Sequence, residues 1–132
     1  MVNPAKSVIS KSFAKPDERR EFKGHGHLDV LNLGGEAIVG RGVFEAGWRW
    51  SNDVKPIAGT SSCEAPHLGY CLKGRMTVRM DSGEEFQIKA GDAFQIAPGH
   101  DAWVDGNETC EMLDVSGYAE YAVTRKDEKK SA

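Results

Sequence analysis

Seven residues of this chain carry side chains that titrate near neutral pH or take soft metals, namely four histidines and three cysteines. His67 opens the short apolar run of "EAPHLGYCLKG", and His100 follows a Pro-Gly corner in "APGHDAWV". His25 and His27 stand one residue apart in "GHGHLD", while Cys63, Cys71 and Cys110 are scattered. An unperturbed imidazole changes charge between about pH 5 and 8, so a histidine facing a pocket can act as a general base. Imidazole combined with a thiolate suits zinc or iron better than magnesium or calcium. Three cysteines without a CxxC pair argue against a disulfide framework or a structural zinc site, and buried thiols in a reducing compartment are expected.

The elements that must position these groups read as strands. "LDVLNL" alternates apolar and polar residues, and Met76, Val78 and Met80 alternate with Arg75, Thr77 and Arg79. Phe86 and Ile88 alternate with Gln87 and Lys89, and "AFQIAPGHDAWV" and "CEMLDVS" continue the series. Period-two alternation punctuated by Gly, Asp or Pro marks an antiparallel sandwich or barrel, and no segment holds a helical period over three turns. The expected fold class is all-β. Between Gly47 and Pro66 lies a long loop rich in Gly, Ser and Pro, which Trp48 and Trp50 are expected to anchor. The expected organisation is an N-terminal arm over residues 1–22, a barrel over 23–121 and a charged tail over 122–132.

At 132 residues the chain has room for a single core. A net charge of −3 with interspersed signs lacks the footprint of a nucleic-acid binder. No apolar stretch is long enough for a membrane helix, and the first residues lack the apolar core of a secretory signal, so a cytoplasmic location is expected.

The sequence resembles a small cupin, the RmlC-like jelly roll. "AGDAFQIAPGHDAWV" resembles the second cupin half-motif, with its Gly-Asp turn, strand and Pro-Gly corner. "GYCLKGRM" resembles the end of the first, and the hairpin "RMTVRMDSGEEFQIKAGD" lies between the halves as in the family. The resemblance implies an antiparallel double-stranded β-helix, the jelly-roll or cupin barrel. Metal-binding cupins carry two histidines one residue apart, a glutamate, and a third histidine beyond the corner. Here His67 stands at the glutamate position, the two earlier positions fall near Ser61 and Cys63, and the last falls at Ala102 with His100 two residues before it. "GHGHLD" lies too early to supply the missing pair, so His25 and His27 are expected on the solvent-exposed arm.

Parity orders the candidates. Residues two apart on a strand share a face, which groups His67, Gly69 and Cys71, and likewise His100, Ala102 and Val104. The resemblance turns the His67 face inward, so Gly69, Cys71, His100, Ala102 and Cys63 are expected around an interior pocket. His67 is the expected catalytic residue, and His67, His100 and Cys63 are the expected ligands of a divalent transition metal, zinc or iron being favoured. In the alternatives, the chain is a metal-free cupin that binds a small metabolite such as a sugar or carboxylic acid, an isomerase- or lyase-type cupin, or a non-catalytic structural or regulatory one. Glu64 is placed near the pocket mouth, with Arg49 and Lys55 on the loop, and Tyr70 and Asp101 point away. Leu68, Tyr70 and Leu72 form an opposite apolar face that needs a cover, for which homodimerisation is expected. The expected partner besides a second copy is a small-molecule ligand.

Overall fold

The computed structural model describes residues 8–35 and 37–116, so the expected tail and residues 117–121 lie outside it. Its elements run in the order β1 (Glu18–Glu21), β2 (Gly26–Asn32), β3 (Ile38–Phe44), α1 (Trp50–Asp53), α2 (Lys55–Ala58), β4 (His67–Lys73), β5 (Arg75–Met80), β6 (Glu85–Lys89), β7 (Ala93–Ile96), β8 (His100–Val104) and β9 (Cys110–Ser116). All the pairings are antiparallel. They build a six-stranded sheet in the order β1-β2-β3-β9-β4-β7 and a three-stranded sheet in the order β6-β5-β8. From β4 onward the chain passes repeatedly from one sheet to the other, which is the double-stranded β-helix expected from the sequence.

One core cluster draws on both sheets. Leu28, Phe44, Cys71 and Met112 come from the larger, and Met76, Val78, Ala102 and Val104 from the smaller. The alternation in sequence becomes alternation in burial. His100, Ala102 and Val104 of β8 are buried while Asp101 and Trp103 are only partly so, and the Pro-Gly corner before them does not reset the parity. On β4, His67 and Cys71 are buried while Leu68, Tyr70 and Leu72 are exposed.

Two expectations need correcting. The stretch expected as an arm contains β1, which pairs with β2, and Phe22, which is buried and stacks on Phe44 at 5.5 Å. Because β1 is a charged edge strand, its sequence "ERRE" shows no alternation, as edges that avoid further pairing often do not. Of the two histidines expected on the exposed arm, His25 is exposed but His27 is only partly so. His27 belongs to β2, and the His25 ring is 3.1 Å from a carboxylate oxygen of the buried Asp53.

The loop after β3 is tied down rather than open. Trp48 and Trp50 are each 2% exposed. The Arg49 N–H donates to the Asp53 carboxylate at 2.9 Å, and Gly59 closes α2 in the left-handed conformation. The Val104 N–H donates to the Trp48 carbonyl at 3.0 Å, and Cys63 bridges to His100. The loop therefore returns to β8 at both ends, and its second tether builds the site.

Candidate metal and ligand site

Cys63 reaches the barrel interior through its own backbone. Its N–H donates to the His100 carbonyl at 2.7 Å, and its carbonyl accepts from Gly99 at 2.7 Å and His100 at 3.2 Å. Gly99 adopts a positive φ of 90° at this corner, and a Cβ there would stand 3.0 Å from an Asp81 carboxylate oxygen. The bridge fixes the Cys63 thiol beside the first residue of β8. His67 opens β4 on the other sheet, opposite Ile96 of β7. The two imidazole centroids are 5.5 Å apart at 65°. One ligand atom from each of Cys63, His67 and His100 lies within 4.8 Å of the other two, and all three residues are buried.

Hydrogen bonds orient both rings. His100 Nδ1 is 2.8 Å from the Ala97 carbonyl, and since a carbonyl only accepts, Nδ1 carries a proton. That leaves Nε2 to offer its lone pair in the neutral ring. His67 Nδ1 lies 2.5 Å from a carboxylate oxygen of Asp114 on β9, and His67 Nε2 lies 3.6 Å from Cys63 Sγ. Burial pulls the His67 imidazolium down, but the Asp114 carboxylate and the Cys63 thiol overcome this and raise its pKa to about 9. Burial pushes the Cys63 thiol up, but His100 and His67 together lower it to about 7. The metal-free site thus favours a thiolate held against an imidazolium, with a carboxylate behind.

The donor set fits a transition metal. Tetrahedral zinc with bonds of about 2.3 Å to sulfur and about 2.05 Å to nitrogen sets those two atoms roughly 3.6 Å apart. The Cys63–His67 separation has that value. Asp114 behind His67 is the carboxylate that metal-ligating histidines ordinarily recruit, fixing the ring and raising its basicity. Three protein ligands leave a position open, as in catalytic rather than structural zinc sites.

That group adjoins an interior cavity of about 50 Å³, whose wall includes His67, His100 and Asp114 together with Phe44, Trp48, Trp50, Met76, Ala102 and Met112. Apart from the two histidines and Asp114, its lining is apolar. A water needs about 10–15 Å³ on a comparable measure, so the space holds a few waters or the small end of a ligand. The buried Trp48 and Trp50 indole N–H groups have no hydrogen-bond partner among the described residues. The tryptophans are therefore both anchors of the loop and walls of the cavity.

Of the residues singled out in sequence, His67, His100 and Ala102 line the cavity, while Cys63 lies beside the two histidines but is not part of the cavity wall. Gly69 and Cys71 do not line the cavity. A Cβ on Gly69 would meet the Leu113 carbonyl oxygen at 2.0 Å, so this glycine serves close approach of β4 to β9 at a register shift rather than making room. Cys71 Sγ lies 3.5 Å from the Lys73 carbonyl, and burial pushes its thiol up. Ser61 is exposed, unlike Cys63. Arg49 covers Trp103 at 4.5 Å and pairs with Asp101 at 3.4 Å, away from the cavity. Lys55 is exposed, and Glu64 accepts from Ser62 Oγ at 3.0 Å. Sequence reasoning missed Asp114. Its signal was parity in "CEMLDVS", which puts this acid on the inward face with Cys110 and Met112.

In sequence, residues 62–116 match the cupin domain family. No curated protein matches the chain. In structure, it is similar to an RmlC-like cupin from Shewanella frigidimarina NCIMB 400, with 19% identity over 76% of this chain and 83% of that one, at a TM-score of 0.51. It is also similar to KdgF from Halomonas sp., with 16% identity over 76% and 87% of the two chains, at a TM-score of 0.52. A third likeness is to the oxalate decarboxylase of Lactobacillus farciminis in its formate complex, with 18% identity and a TM-score of 0.56. That match covers 86% of this chain but 33% of the decarboxylase. At these identities the likeness is one of fold. With a cupin-domain match over residues 62–116 and a double-stranded β-helix that contains them, this chain carries a cupin domain.

Proposed function

We propose that this cupin holds one transition-metal ion, zinc or iron, through Cys63, His67 and His100, and presents it to a small molecule in the interior cavity. The observation that carries this reading is the convergence of three buried soft donors within 4.8 Å, two of which, His67 and His100, line that cavity. A metal bound there would supply Lewis-acid polarisation of an oxygen on the ligand. Asp114 would hold His67 in the tautomer that offers Nε2, the Cys63–His100 backbone bridge would keep the thiolate in place, and the tryptophans would exclude bulk water. Cobalt(II) titration tests the proposal, because thiolate-to-cobalt charge transfer reports sulfur ligation directly. One equivalent should develop that absorbance, and Cys63→Ser should abolish it while the folded spectrum persists. Its absence in the intact protein contradicts the proposal.

A second reading has its own support. The series Cys63 Sγ, His67 Nε2 and Nδ1, and Asp114 is a thiol, base and orienting carboxylate at 3.6 and 2.5 Å, which is how metal-free sites activate a nucleophile. In that case His67 is the general base. Beyond the site, Leu68, Tyr70 and Leu72 of β4 are 48%, 43% and 44% exposed, and Val115 of the neighbouring β9 is 52% exposed. We assign a second copy of this chain as the cover for that stripe, giving a homodimer. Three free, buried cysteines accord with the reducing cytoplasm. Among the described residues no helix is long and apolar enough to cross a membrane.

A further inference from the structure

Two side chains of β7 face two spaces at once. Phe94 and Ile96 line the interior cavity, and both also line an apolar surface groove of about 440 Å³. The groove's far side is the β5–β6 hairpin, through Val78, Met80, Phe86 and Ile88. Among the described residues β7 pairs only with β4, and β6 only with β5, so each is an edge strand of its sheet. At this seam between the sheets, groove and cavity share side chains as a common wall. Phe86 is 53% exposed on the groove.

We infer that the ligand enters across this seam and is an amphiphile, with a compact carboxylate head at the Cys63, His67 and His100 group and an apolar body lying in the groove. The inference rests on the reading that the cavity receives a small molecule. About 50 Å³ admits a head of only a few atoms, so a larger ligand must extend past the wall. Among the described residues no charged side chain lines the groove, and Gln95 is the only polar one. A sugar would leave hydroxyls there without partners, at a desolvation cost that an alkyl or aryl body does not incur. Burial of a methylene is worth about 0.8 kcal/mol, or roughly fourfold in affinity. An exposed aromatic beside a pocket wall is also the kind of apolar patch that marks a binding groove.

The test is calorimetric binding of straight-chain monocarboxylates, from acetate to decanoate, to zinc-loaded full-length protein. Affinity should rise by roughly fourfold per methylene over several members and then level off as the groove fills. Phe86→Ser should flatten the rise for the longer acids. Phe94→Trp should weaken the longer acids by narrowing the seam. The same series on zinc-free protein should keep its slope at weaker overall affinity, since the slope belongs to the groove. Affinity independent of chain length in protein that has taken up zinc overturns this inference and leaves the metal assignment standing. Failure to take up zinc with the slope preserved overturns the metal assignment alone. A Phe86→Ser variant that changes the oligomeric state without changing the slope shows the groove to be covered by a second copy, and also overturns it.

Discussion

Asp114→Asn probes the site through a residue that is not itself a ligand. The carboxylate lies 2.5 Å from His67 Nδ1 and both groups are buried. Asparagine keeps the shape and one acceptor oxygen but removes the charge. A hydrogen bond to a charged group contributes about 1.5–3 kcal/mol, against about 0.5–1.5 for a neutral one. The difference, about 1–1.5 kcal/mol, corresponds to roughly five- to thirteenfold in affinity. It falls at the low end of the 10–100-fold that loss of a carboxylate behind a metal-bound histidine ordinarily costs. Zinc affinity, measured by competition with a chromophoric chelator, should therefore fall about tenfold. In the metal-free protein, loss of the carboxylate leaves burial dominant at His67, so its imidazolium should deprotonate at a lower pH, which histidine NMR resonances report. A folded Asp114→Asn protein with wild-type zinc affinity and an unmoved His67 titration would refute the reasoning, because His67 would then owe neither its orientation nor its charge to this residue.

The remaining expectations concern pH and packing. In metal-free protein the Cys63 pKa of about 7 lies below the ordinary thiol value, so the stabilisation it gives is present above that value and lost as pH falls through about 7. His67 is raised to about 9, so its contribution is complete below the ordinary imidazole pKa and lost as pH rises through about 9. Ultraviolet thiolate absorbance, taken as the difference from Cys63→Ser, should show a midpoint near 7; a midpoint at the ordinary thiol value contradicts the imidazole contacts. Gly69→Ala should destabilise the barrel by about 3 kcal/mol or more, because its Cβ would meet the Leu113 carbonyl oxygen at 2.0 Å. At about 3–4 °C per kcal/mol for a chain of this length the melting temperature should drop by about 10 °C or more, and an unchanged melting curve removes the close-approach argument.

The barrel was legible in sequence because alternation and turn residues agree over strands such as β3, β5 and β8, whose burial follows the same period. β1 was not, since a charged edge strand has no apolar face to reveal it. Parity placed His67 with Cys71 and His100 with Ala102 on inward faces, while the pairing of Cys63 with His100 depends on a loop whose return no local pattern encodes. Asp114 looked like any strand acid until β9 was seen between β3 and β4, with its inward face against His67. The small side at Gly69 read as space, but smallness there serves contact. One symbol in the sequence stands for both, and only the neighbouring backbone tells them apart.

The central claim is that Cys63, His67 and His100 hold a metal together. Elemental analysis of protein purified without chelator tests it most directly, alongside His67→Ala and His100→Ala variants shown to be folded by circular dichroism. The expected result is close to one equivalent of zinc or iron per chain, reduced to background in both variants. No transition metal in the intact protein, even after reloading with zinc and iron, or equal metal in the variants, would contradict it.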